Sequence, residues 1–127
     1  MTTMASLRVG VTGARGRMGA AVVEAVSAAP GMQLAAALDI GDSVDELVEQ
    51  SCDVVVDFTT PDAVMGNLEF AIGAQMHCVV GTTGFDDERL ARVKEWTAGH
   101  PGVGVLIAPN FSIGAVLMMH LSALAAR

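Results

Sequence analysis

The chain has 127 residues, enough for one domain with a packed core and too few for two of ordinary size. Hydrophobic residues make up 52% and charged residues 17%, and 14 acidic against 7 basic side chains give a formal charge of −7. That balance runs against a nucleic-acid partner, which needs clustered cations. Residues 1–6 lack both the basic and the apolar part of a secretory signal and read as a loose leader, which leaves residues 7–127 as the domain. Short β-branched runs then alternate with helical stretches, the pattern of a parallel sheet with crossover helices. Residues 7–12 are predicted as the first strand, and residues 16–29 as a helix stopped by Pro30-Gly31. A second strand is expected at 33–39. The short helix at 43–50 would carry Ser43 and Glu46 at capping-box spacing.

Residues 53–58, Asp-Val-Val-Val-Asp-Phe, form a third strand of buried type, continuous in valine because helices would cover both faces. Thr60 caps the next helix with Pro61 at its first position. Residues 76–80 are strand four. A helix from about 86 to 98 opens on Asp86, Asp87 and Glu88, whose charges suit the positive end of a helix dipole. Strand five is expected at 103–108 and a last helix at 112–127. The apolar stretch at 113–126 is broken by His120 and Ser122 and is too short to cross a bilayer, so no membrane partner is expected. Cys52 and Cys78 match no metal spacing and read as buried thiols of a reducing cytoplasm; no metal site is expected.

The segment Gly13-Ala14-Arg15-Gly16-Arg17-Met18-Gly19 falls where the first strand hands over to the first helix. A diphosphate bound there needs close backbone approach, free N–H groups and a helix dipole behind them. Gly13 would make the tight turn, Gly16 would remove the side chain facing the phosphates, and Gly19 would let the helix pack near the sheet. The spacing is G-x-x-G-x-x-G, so the generic dinucleotide fingerprint is met in part, strengthened by Asp39 twenty residues after Gly19. Asp39 could accept hydrogen bonds from the adenosine ribose. Arg15 and Arg17 could grip a ribose 2′-phosphate. Acid and arginines together predict a site for NADH, for NADPH, or for both.

Three more segments follow strands: Asp57-Phe58-Thr59-Thr60-Pro61, Gly81-Thr82-Thr83-Gly84 and Ala108-Pro109-Asn110-Phe111-Ser112. With the glycine turn, and in this order, they closely resemble the N-terminal domain of the dihydrodipicolinate reductases of bacterial lysine and diaminopimelate biosynthesis. The resemblance spans residues 7–127 and implies a Rossmann-like, doubly wound α/β fold. It implies that Gly13, Ala14, Arg15, Gly16, Arg17 and Met18 touch the diphosphate, and that Asp39 meets the adenosine ribose. Gly81, Thr82 and Thr83 would lie beside the nicotinamide, with Thr83 also near the substrate. Ala108, Pro109, Asn110 and Phe111 would contact the nicotinamide end and form a hinge toward a second domain. The implied reaction is hydride transfer from NAD(P)H to a cyclic imine dicarboxylate in a cytoplasmic homotetramer.

Family members carry a segment of the type H-H-x-x-K-x-D-x-P-S-G-T that supplies protonation and substrate binding, and these 127 residues have no such segment. His77, His100 and His120 are isolated, and the lone Lys94 falls on an expected surface helix. No catalytic residue is therefore expected in this chain, which reads as a fragment that lacks the substrate domain and does not turn over. The glycine turn also resembles the opening of short-chain dehydrogenases, but their Tyr-x-x-x-Lys pair needs a tyrosine and the chain has none. A stand-alone NAD(P)-binding or redox-sensing module shares the glycine turn and gives no reason for the other two loops.

Overall fold

The computed structural model describes residues 6–108. Outside the described residues lie most of the expected leader, the expected helix at 112–127, and Pro109, Asn110 and Phe111. Nine elements follow in chain order: β1 (Leu7–Thr12), α1 (Arg17–Ala28), β2 (Met32–Leu38), α2 (Asp45–Glu49), β3 (Val54–Asp57), α3 (Pro61–Gly73), β4 (His77–Val80), α4 (Asp87–Ala98) and β5 (Val105–Ile107). The strands form one sheet in the order β2-β1-β3-β4-β5, and every pairing is parallel. The chain leaves β1 toward β2 on one side and later returns to β3 on the other. The crevice beyond the C-terminal ends of β1 and β3 is thus the topological switch point, where open α/β sheets bind ligands.

Alternation along the strands splits the core into two layers. Val9, Val11, Val54, Val56 and Val79 pack with Val22 and Val26 of α1. Val55, Cys78 and Val80 face the other way, against Leu47 of α2, Val64 and Leu68 of α3, and Val93 of α4. All four β3 residues are buried, as expected of a strand covered on both faces. Each fully buried valine contributes on the order of 1.5–3 kcal/mol relative to an exposed one.

The helix ends differ from the sequence expectation in instructive ways. Gly16 and Ala29 are cap residues flanking α1 rather than part of it. The capping box at Ser43 and Glu46 does not form. Val44, already helical, takes the N-cap position, so the Ser43 hydroxyl sits one residue early and accepts from the Asp45 amide at 3.2 Å. Thr60 does stand at the N-cap of α3 with Pro61 behind it, but its hydroxyl makes no capping bond; its carbonyl accepts from the Ala63 and Val64 amides. Asp86 caps α4 from outside, accepting from the Arg89 amide at 2.8 Å. Strand five shrinks to three residues because the Val103 amide is spent on a turn to the His100 carbonyl.

Candidate functional site

Beyond Thr12 the backbone turns through Gly13 at φ +77°, in the left-handed region where a side chain is strained. A Cβ there would also run into the Phe58 carbonyl at the end of β3. Gly19, in the first turn of α1, lies against the carbonyl of Gly13, and a Cβ would overlap that oxygen. That close approach seats the helix on the turn that directly follows β1. Gly16 is the open position. A Cβ there would meet only the Gly13 oxygen, at 3.4 Å. As the N-cap of α1 it offers no side-chain cap, so the first-turn amides, including those of Arg17 and Met18, are left uncapped beside the cleft that Gly16 lines.

The turn is tied to the end of β2. Ala14 donates its amide to the Leu38 carbonyl at 3.0 Å, and Arg15 donates its amide to Asp39 Oδ2 at 2.6 Å. Asp39 Oδ1 accepts from the Ile40 amide at 2.8 Å. Hydrogen bonds from the Ile40 and Arg15 amides hold the Asp39 carboxyl below its ordinary value, so it is firmly ionised at neutral pH. The Arg15 and Arg17 side chains are exposed, and among the described residues neither guanidinium makes a hydrogen bond or ion pair.

At the other half of the crevice the organising group is Asp57, the last residue of β3 and 2% exposed. Its Oδ2 accepts from the Thr12 hydroxyl at 2.8 Å and from Asn67 Nδ2 at 2.9 Å. Its Oδ1 accepts from the Thr82 hydroxyl at 2.6 Å, the Thr59 hydroxyl at 2.7 Å and the Thr59 amide at 3.1 Å. One carboxylate therefore gathers the ends of β1, β3 and β4 and the middle of α3. The Asp57 carbonyl also accepts from the Gly81 amide at 2.9 Å, which fixes the start of the loop after β4.

A cleft of about 360 Å³ joins the two halves, lined by Thr12, Gly13, Gly16, Asp39, Phe58 and Thr59 among others. The structure thus brings Gly13, Gly16 and Asp39 together. Gly81, Thr82 and Thr83 follow β4 along the same edge of the sheet, and Ala108 follows β5, its amide donating to the Val80 carbonyl at 2.9 Å. Gly81 has no room for a side chain because the Phe58 ring occupies that space. Thr82 is buried with its hydroxyl committed to Asp57, so backbone is what it can offer a ligand; Thr83 is exposed. Sequence reasoning assigned no role to Thr12, Asp57, Phe58, Thr59 or Asn67. The available signal was an aspartate closing a buried valine run.

His77 and His100 stand apart from the crevice. His77 begins β4, and its Nδ1 accepts from the Gly104 amide at 3.0 Å. His100 Nδ1 pairs with Gln75 Nε2 at 2.8 Å. A larger cavity of about 540 Å³ lies between α4 and β5, lined by Leu90, Val93, Lys94 and Val105 among others. It is on the flank of the sheet rather than at the strand ends. Among the described residues no helix is long and apolar enough to cross a membrane.

This geometry has close counterparts. Residues 7–111 match the family profile described as "Dihydrodipicolinate reductase, N-terminus". The chain belongs to the dihydrodipicolinate reductase family. The 4-hydroxy-tetrahydrodipicolinate reductase of Corynebacterium diphtheriae is 56% identical over 122 residues, covering 96% of this chain and 49% of the relative. That of Mycolicibacterium vanbaalenii is 54% identical over 121 residues, 95% of this chain and 49% of the relative. The chain spans about half the length of the curated relatives it matches. A dihydrodipicolinate reductase from Paenisporosarcina sp. TG-14, solved with dipicolinate bound, superposes with a TM-score of 0.74 at 35% identity, over 95% of this chain and 54% of that one. A scyllo-inositol dehydrogenase from Lactobacillus casei gives 0.69 at 17% identity, over 84% and 37%, a likeness of fold alone. The dihydrodipicolinate reductase domain here is the expected Rossmann-like, doubly wound sheet, and its residues fit a nicotinamide dinucleotide. The uncapped amides of α1, the open space at Gly16 and the ionised Asp39 are what such a ligand requires.

Proposed function

We propose that this chain is the cofactor-binding part of a reductase that transfers hydride from NADH or NADPH to a cyclic imine dicarboxylate in lysine and diaminopimelate biosynthesis. The observation that carries the reading is the convergence of the uncapped start of α1, the open Gly16 and the Asp39 carboxylate on one crevice. When bound, the reduced nicotinamide supplies the hydride. Residues 13–18 surround the diphosphate, which the uncapped amides of Arg17 and Met18 hold, those of Ala14, Arg15 and Gly16 being spent within the turn and on the end of β2. Asp39 accepts from the adenosine ribose hydroxyls. Gly81, Thr82 and Thr83 border the nicotinamide and exclude water from it, with Thr83 nearest the substrate. Residues 108–111 complete that end and act as the hinge toward the substrate-binding part of the enzyme.

NADH is the better fit. An ionised Asp39 repels a 2′-phosphate, whereas the exposed guanidiniums of Arg15 and Arg17 offset that repulsion enough to admit NADPH. The 127 residues bind cofactor without turnover, because the dicarboxylate needs several converging donors that they do not supply. Calorimetric titration with each cofactor tests this directly. Binding of NADH, with NADPH weaker, is the expected result; no heat with either at millimolar concentration would sink the cofactor reading. Steady turnover by this polypeptide would separately refute the division of labour.

A further inference from the structure

Asp57 does more than the cofactor reading requires of it. Its carboxylate is buried, and each of its five hydrogen-bond donors is neutral: three threonine hydroxyls, one amide side chain and one backbone amide. Among the described residues the ion pair is Arg92 with Glu88, on the exposed face of α4, and no cation lies against Asp57. A buried negative charge satisfied by dipoles alone keeps its field, since no opposite charge cancels it and little water screens it. The shortest hydrogen bond of the carboxylate ties it to the loop after β4. Thr82 donates to the carboxylate at 2.6 Å, and the next residue, Thr83, is at the surface of the loop that closes β4.

We propose that Asp57 is an electrostatic positioning residue that makes the nicotinamide pocket favour the oxidised, positively charged ring over the reduced, neutral one. The inference rests on the placement of the nicotinamide against the loop at 81–84. Asp57 does not touch the ligand. It orders the three strand ends through Thr12, Thr59 and Thr82, and it contributes the charge that distinguishes the two redox forms. These two effects separate experimentally, because loop ordering serves both redox forms of the dinucleotide alike, whereas charge acts on the one form that carries a pyridinium cation.

The test compares the unaltered chain with Asp57→Asn, which keeps the shape and removes the charge. Dissociation constants are measured for NAD+, NADH and ADP-ribose, the last lacking the nicotinamide altogether. The affinity for NAD+ is expected to fall roughly thirtyfold more than that for NADH, the scale of two unit charges about 8 Å apart at an effective dielectric of about 20. Equal losses for NAD+ and NADH, with or without a loss for ADP-ribose, would show that Asp57 only holds the loops, and unchanged affinities would show that it does neither; both results overturn the proposal. If the unaltered chain bound ADP-ribose but gained nothing from the nicotinamide, the placement at 81–84 would fail and the proposal with it. Should Asp57→Asn not fold, exchanging the pair as Asp57→Asn with Asn67→Asp retains an amide beside a carboxylate and moves the charge onto α3. A smaller drop in the same ratio is then expected, and none would overturn the idea.

Discussion

The two halves of the crevice are built on opposite principles. At the ends of β1 and β2, where we propose that the dinucleotide binds, the means are mostly backbone: glycines at 13, 16 and 19, uncapped amides at the start of α1, and one partly exposed carboxylate, Asp39, held by two amides. At the ends of β3 and β4 the work falls to side chains, with Asp57 buried and joined to Thr12, Thr59, Asn67 and Thr82. The first half tolerates no added atom at Gly13 or Gly19, where backbone meets backbone. In the second half the chemistry of one carboxylate matters most. Two aspartates at equivalent strand ends thus do different things: Asp39 presents unused lone pairs to a ligand, while Asp57 spends its oxygens on the protein.

The largest effect expected from breaking this comparison lies in the backbone half. Gly19→Ala places a methyl onto the Gly13 carbonyl, and because both partners are backbone the turn itself must move. A loss of about 3 kcal/mol is expected in urea unfolding, together with loss of dinucleotide binding. Gly16→Ala, three residues away in the same turn, meets one oxygen at ordinary contact and should change stability by less than about 0.5 kcal/mol. It should still weaken NADH binding, because its methyl stands in the space left for the phosphates. Equal destabilisation by the two substitutions would mean that the glycines are not specialised as described.

Next in size is the contrast between the aspartates themselves. Asp57→Ala strands buried donors from three strand ends and is expected to cost about 2 kcal/mol. Asp39→Ala frees two amides at a solvated position, so it should lower the urea midpoint less than Asp57→Ala does while reducing NADH affinity about tenfold, and NADPH affinity less. The sign of the pH dependence follows from the direction of the shift. Because the folded protein holds the Asp39 carboxyl below its ordinary value of about 3.9, its contribution is complete above that value and is lost as pH falls through the lower native one. NADH affinity should therefore show no Asp39-dependent change between neutral and mildly acidic pH. A fall near pH 6 that disappears in Asp39→Ala would contradict the assignment.

How much of this was legible beforehand follows the same division. That the glycine turn follows β1 and Asp39 follows β2 could be read from sequence, because such a turn leaves a local signature: glycines at fixed spacing after a strand, and an acid after the next strand. The first strand was legible residue for residue, since its apolar residues sit between unambiguous flanks. The Asp57 cluster was not, because its members come from positions 12, 57, 59, 67 and 82 and meet only through the parallel register Thr12 with Asp57 and Asp57 with Val80. The family resemblance set Thr82 beside the nicotinamide, but the bond of its hydroxyl to Asp57 was not legible, because that direction depends on the register. The Ser43 cap failed on a smaller scale, one residue of helical backbone at Val44 being enough to shift it. Strand five was overextended because a turn at His100 claims an amide that sequence pattern assigns to the sheet.

The smallest expected effect is a silence, and it sharpens the comparison by reporting on each half separately. Cys52 is buried against the start of β3 and α2, whereas Cys78 lies within β4, on the side of the sheet organised by Asp57. Burial pushes both thiols up, that of Cys78 to about 12 with a further rise from the Asp57 charge, so neither is a thiolate at pH 8. A disulfide reagent at that pH should leave both unlabelled in the native chain, then label them as the protein opens in denaturant. In the unaltered chain the two should react together, because both belong to one core layer. In Asp57→Ala, with the β4 end loosened, Cys78 should begin to react at lower urea than Cys52. If Cys52 led instead, the carboxylate would not be what holds the β3–β4 half together.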